Sequence, residues 1–270
     1  METAPMLQTV PDDARSLLAA AASDWDRPVP HCPEWDAADL VGHMGSILMW
    51  MAAVVRSRER ISRRRLDPPP QDPAELPGWY LHTLEDSLRV LGAADPNSQT
   101  WTFSSTGDRR VAWWQRRLAV EVAVHRWDAQ HAVAADGGPS PKPLDGELAA
   151  SGTAEFMIEF LPGLLADDSV NGLDGTLHLH ATDGPTEWWI DLSAAGAIGA
   201  ANAGGAANAA DGNGADGPAG AALPRHAKAD TAVRGTRSDL LLWLTNRGPL
   251  DSLEVFGRPE IFEGWKQLQR

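Results

Sequence analysis

Trp113-Trp114-Gln115-Arg116-Arg117-Leu118-Ala119-Val120-Glu121-Val122-Ala123-Val124-His125-Arg126-Trp127-Asp128-Ala129 decides how the first half of this chain is read. Leu118, Val122 and Ala129 share an apolar stripe at the helical period. Glu121 and His125, four residues apart, project from that same face one turn apart. A carboxylate aimed into an apolar interior is costly unless it is paired, protonated or bound to a metal. His43 sits in a similar stripe, Leu40, Met44, Ile47 and Met51, of an earlier helical stretch. Two helices that direct imidazole and carboxylate inward are what a metal site inside a helical bundle requires. Two His and one carboxylate suit Zn²⁺, with Fe or Ni also compatible, and three protein ligands leave a position open for a reacting atom. The competing reading is an ion pair inside the bundle, Glu121 with Arg117, Arg126 or a His.

Outward from this stretch, the first half reads as helices separated by breaks. One helix is expected over about Pro11 to Ala22. Arg27 to Trp35 holds three prolines and must be extended. Asp36 is the expected N-cap of a helix reaching about Arg60, with Asp39 placed for a capping box. Further helices are expected over Gly78 to Leu91, ending at Gly92, and over Arg109 to Ala135, ending at Gly137-Gly138. Four amphipathic helices suggest an antiparallel bundle over residues 1–137. The Gly/Pro/Ser-rich stretch 138–146 reads as a linker.

Residues 147–270 read as a small α+β domain. A helix fits Gly146 to Phe160. Thr176-Leu177-His178-Leu179-His180-Ala181 alternates strictly, and Asp183-Gly184 signals a turn before a second strand to Leu192. A strand over Asp230 to Arg234, a helix over Arg237 to Asn246, a strand over Leu253 to Phe256 and a helix from Pro259 complete it. Residues 194–222 are Ala, Gly, Asn and Asp with almost nothing large, so a disordered insertion is expected. Its Gly212-Asn213-Gly214-Ala215-Asp216-Gly217 matches the dinucleotide fingerprint formally, but no strand precedes it and Pro218 follows, so it is discarded.

Net charge of −14 argues against a nucleic-acid partner, which needs clustered Lys and Arg. The one basic run, Arg56 to Arg65, is read as the solvated end of a helix. A single cysteine, Cys32, excludes internal disulfides and fits a reducing compartment. The first residues lack the basic and apolar regions of a secretory signal, and no uninterrupted apolar run is long enough to span a bilayer. A cytoplasmic protein, monomer or weak homo-oligomer, with no membrane partner, is the expectation. His178 and His180 share a strand face that is either solvated or a second site; His31, His82, His131 and His226 have no evident constellation. Asp128, three residues after His125, is placed either to orient it or to face solvent.

Cys32-Pro33-Glu34-Trp35-Asp36-Ala37-Ala38-Asp39-Leu40-Val41-Gly42-His43 and the Trp113 to Ala129 stretch resemble signatures of the mycothiol-dependent maleylpyruvate isomerase family. The tail, Val233-Arg234-Gly235-Thr236-Arg237-Ser238-Asp239-Leu240-Leu241-Leu242-Trp243-Leu244-Thr245-Asn246-Arg247, resembles that family's C-terminal domain. The resemblance implies a fold of class α + α/β: a DinB-like antiparallel four-helix bundle followed by a small α+β domain. It implies that His43, Glu121 and His125 bind zinc and that an Arg of the C-terminal domain takes part in activity. Arg247 is the nearest match for that Arg, with Arg234 and Arg237 as alternatives. It further implies mycothiol as the thiol, held as a thiolate by the metal. Addition to an activated double bond, rotation and elimination then give isomerisation; displacement of a leaving group gives a thiol S-transferase. The partners implied are a small thiol and a small electrophilic, carboxylate-bearing substrate. Outside that class stand a non-catalytic metal-binding or regulatory module and a hydrolase using zinc-bound water.

Overall fold

Residues 4–165, 174–192, 197–201, 228–248 and 250–265 are described by a computed structural model of the chain. They fall into two compact units, Glu2–Leu144 and Asp145–Arg270.

The first unit is helical: α1 (Ala4–Leu7), α2 (Val10–Ala21), α3 (Ala37–Ser57), α4 (Leu76–Ala93) and α5 (Val111–Ala135). Sequence sets the ends. At α3 the Asp36 carboxylate accepts from the Asp39 amide and the Asp39 side chain accepts from the Asp36 amide, the expected capping box. Arg58, at φ 63°, ends the helix two residues before the expected stop. The basic run beyond it therefore does not close the helix: Arg63 lies over the Trp50 ring at 4.5 Å and Arg60 over Trp101 at 5.8 Å. α4 passes through the expected stop at Gly92 and finishes at Ala93.

α3 packs on α4, and α5 packs on both α2 and α3. Gly45 permits the first contact, because a Cβ there would lie 2.2 Å from the Trp79 ring. Leu40, Met44, Leu48, Met51, Leu17, Tyr80, Leu118 and Val122 are buried in this core. Trp50, Trp101, Phe103, Trp113 and Trp114 form one aromatic cluster, with Trp114 donating its indole N–H to the Trp101 carbonyl at 2.7 Å. Among the described residues, two helical runs, Ala37–Ser57 and Gly146–Leu165, are long and apolar enough in composition to cross a membrane, although neither is an uninterrupted apolar run. Most of the first is buried within the protein.

In the second unit α6 (Gly146–Glu155), a π-turn (Phe156–Phe160) and α7 (Leu161–Leu165) form one continuous helical run. It extends past the expected end at Phe160 to Leu165, running through Pro162. β1 (Thr176–Ala181), β2 (Glu187–Asp191), β3 (Ala197–Ala201), β4 (Thr231–Gly235) and β5 (Glu254–Gly257) form a sheet of order β3-β2-β1-β4-β5. β1 and β4 are parallel, and the other neighbours antiparallel. α8 (Arg237–Leu244) and α9 (Pro259–Gly264) complete the unit.

Leu177, Leu179, Ala181, Trp188, Ile190 and Val233 alternate into a core shared with Phe156, Leu161, Leu240, Trp243 and Trp265. The expectation of a disordered segment over 194–222 is corrected at residues 197–201, which form β3 and pair with β2. An edge strand needs only backbone groups to accept the ladder β2 offers, so poverty in large side chains does not exclude it. Residues 194–196 and 202–222 of that segment, and His226, lie outside the described residues.

Candidate metal centre

Three prolines keep Arg27 to Trp35 out of a helix, and the segment folds back on itself. The Val29 amide donates to the Trp35 carbonyl at 3.0 Å, and the Trp35 amide donates to the Cys32 carbonyl at 2.8 Å. Cys32 itself is half-buried within this turn. Closure of the turn delivers the Trp35 ring to within 4.6 Å of the His43 ring and 6.1 Å of the His125 ring, centroid to centroid. His43 on α3 and His125 on α5 meet edge to face at 5.2 Å.

On α5 the i, i+4 spacing brings His125 Nε2 to 3.5 Å from one carboxylate oxygen of Glu121. The other oxygen of Glu121 accepts from Arg117, one turn earlier. His125 Nδ1 pairs with Asp128 at 2.9 Å, and Asp128 is fully buried. His125 thus neighbours both His43 and Glu121. Arg126, the other partner considered for Glu121, is engaged elsewhere, by Asp13 at 3.2 Å, Gln130 and the Pro143 carbonyl.

Burial differs from the sequence picture. His125 is buried, but His43 is half-buried and the Glu121 side chain is 17% exposed. The three groups stand at the margin of the core and not within it. α5 is buried around most of its circumference, so its apolar stripe could not tell an inward side from an open one.

The approach of His125 to Glu121 suits either a divalent cation or a proton between them. If the Asp128 carboxylate accepts from Nδ1–H, His125 turns an Nε2 lone pair toward a carboxylate oxygen, and two lone pairs facing each other across 3.5 Å repel unless a cation or proton lies between. A carboxylate behind the distal imidazole nitrogen is also the usual outer partner of a metal-binding His. Either an ion held by His43, Glu121 and His125 or an imidazolium–carboxylate pair satisfies this geometry.

Two groupings escaped the sequence reading. His31 and His131, assigned no constellation, have ring centroids 4.8 Å apart, and His131 stacks on Trp127 at 4.6 Å. Burial holds the His131 pKa below its ordinary value, with Asp128 opposing. The i, i+4 spacing of Trp127 and His131 was the available signal, but the approach of His31 depends on the Pro-rich turn. On the sheet, Glu187 joins His178 and His180, a partner visible only once the hairpin register is known. Arg247 follows α8 in the second unit, where its guanidinium donates to the Thr245 carbonyl at 2.7 Å.

Among known proteins, no curated protein and no solved structure matches the chain. A family model described as the mycothiol maleylpyruvate isomerase N-terminal domain matches residues 7–130, and one described as the MDMPI C-terminal domain matches residues 147–263. With both halves matched, the chain belongs to the mycothiol maleylpyruvate isomerase family.

Proposed function

We propose that His43, Glu121 and His125 hold one divalent metal ion, Zn²⁺ by the chemistry of the donors, in a DinB-like four-helix bundle spanning residues 1–137. On this reading residues 138–146 are a linker and 147–270 a C-terminal domain. The chain is a cytoplasmic enzyme that uses mycothiol to isomerise or conjugate a small electrophilic substrate carrying a carboxylate.

The observation that carries the reading is the His125 imidazole, fixed by buried Asp128 on one nitrogen while the other faces Glu121, with the His43 ring against it. When bound, such an ion lowers the pKa of a thiol so that the thiolate is present at neutral pH. Asp128 sets the His125 tautomer. Arg117 neutralises one Glu121 oxygen and holds the carboxylate in place. The Trp35 ring packs against His43 and supports its orientation. Arg247 is assigned the substrate carboxylate, which a guanidinium grips through two parallel hydrogen bonds.

The Arg117–Glu121 pair is the observation favouring a second reading, a non-catalytic module in which Glu121 is satisfied without metal. Mycothiol titrated into the Co²⁺-loaded protein separates the two. The enzyme reading expects a thiolate-to-metal charge-transfer band and thiol-dependent turnover of maleylpyruvate or of another electrophile in a panel. Metal binding with no response to thiol contradicts it. Turnover without any thiol would instead indicate a hydrolase. Arg247→Gln is expected to raise KM for a carboxylate substrate at least tenfold while leaving the mycothiol response intact.

A further inference from the structure

The half-exposed face of the sheet carries a second group of ligand-type side chains. Strand alternation places His178 and His180 on one face of β1, while Leu177, Leu179 and Ala181 anchor the other face in the core. The β1–β2 register sets Glu187 directly opposite His180 and Trp189 opposite His178. Glu187 therefore lies across from one imidazole and diagonal to the other, both within reach of its side chain. One carboxylate oxygen is 2.9 Å from His180 Nδ1, and the other is 3.8 Å from His178 Nε2. One ligand atom from each of the three lies within 4.8 Å of the others.

We propose that His178, His180 and Glu187 form a second divalent transition-metal site, distinct in residues from the one assigned to His43, Glu121 and His125. Cross-strand pairing by itself accounts for the His180–Glu187 contact. Convergence of two imidazoles on the two oxygens of a single carboxylate is the arrangement a shared cation exploits. In a tetrahedral zinc site with bonds of about 2.0–2.2 Å, ligand atoms stand roughly 3.3–3.6 Å apart. Reaching that spacing means opening the 2.9 Å His180–Glu187 hydrogen bond and drawing His178 in from 3.8 Å, adjustments of less than about 1 Å on strands anchored by their buried faces.

Two His and one carboxylate select Zn²⁺, Co²⁺, Ni²⁺ or Cu²⁺ over Mg²⁺ or Ca²⁺. Exposures of 27–39% leave the ion reachable from solvent and its remaining positions open to water. Arg234, opposite His180 on β4, is paired with Glu254 at 3.4 Å on the strand beyond, so its charge is drawn away from Glu187.

Zinc titration of the chelator-stripped full-length chain, read by competition with a chromophoric chelator, tests the proposal. The comparison uses the parent chain, Glu187→Gln, the double variant His178→Asn with His180→Asn, and His43→Ala. Glu187→Gln conserves volume and an acceptor for His180, and circular dichroism checks each fold. The parent is expected to bind one equivalent more than the double variant, and Glu187→Gln to bind that equivalent at least tenfold more weakly. Cu²⁺ added to His43→Ala should give an EPR spectrum with coupling to two imidazole nitrogens, lost when His178 and His180 are also replaced. Equal zinc counts in parent and double variant, with both folded, would overturn the proposal. Because His43→Ala is scored separately, failure of the first site leaves this comparison intact.

Discussion

Asp128 is the residue through which the candidate metal centre is most easily probed without touching a ligand. It is fully buried and hydrogen-bonded to His125 Nδ1 at 2.9 Å. Losing an outer partner of this kind lowers metal affinity by about 10–100-fold. Asp128→Asn is therefore expected to weaken zinc binding by that factor with little change in secondary structure, measured by chelator competition; an unchanged affinity would remove Asp128 from the site. The i, i+4 spacing of Glu121 and His125 was readable directly, and Asp128 followed as i+3. Trp35 was not readable as a neighbour of His43, since its position depends on how a turn containing Pro28, Pro30 and Pro33 closes. Nor was half-burial of His43 and Glu121, because an apolar stripe reports which side of a helix meets neighbours and not where those neighbours end.

Among the elements, the α3–α4 contact offers the sharpest tests. A Cβ at Gly45 meets the rigid Trp79 ring at 2.2 Å, so Gly45→Ala is expected to cost roughly 1–3 kcal/mol by overpacking. Urea unfolding should show a lower midpoint; an equal or higher one would mean that α4 moves aside freely. The same helices are joined at the surface by Arg56 of α3 and Asp86 of α4, and Asp86 also pairs with Arg89 one turn along α4. The hydrogen bond from Arg56 is the main influence holding the Asp86 pKa below its ordinary value. A depressed folded pKa gives stability that is present above the unfolded pKa and lost as pH falls through the folded one. Asp86→Asn should then cost about 0.5–1 kcal/mol at pH 7, discounted for exposure, and close to nothing in strong acid. A penalty that persists at low pH would point to packing instead. Caps and turns made most element ends legible, as Asp36 did for α3. β3 was hidden because its pairing belongs to the free edge of β2 and not to its own side chains.

At the scale of the whole molecule, the chain divides between Leu144 and Asp145 into two units, each with a core of its own, and a helical run to Leu165 precedes the strands of the second. The family match spans both, yet His43, Glu121 and His125, the ligands proposed for the first metal site, all lie on α3 and α5 of the helical unit. Hairpin register, and with it the meeting of Glu187 with His178 and His180, needed the folded sheet. Crystals of the zinc-loaded chain, with diffraction recorded on both sides of the zinc absorption edge, bear most directly on the central assignment. An anomalous peak is expected about 2.0–2.2 Å from a nitrogen of His43, a nitrogen of His125 and an oxygen of Glu121. Zinc-saturated crystals with no peak among those three side chains, and Glu121 held only by Arg117 and His125, would contradict it.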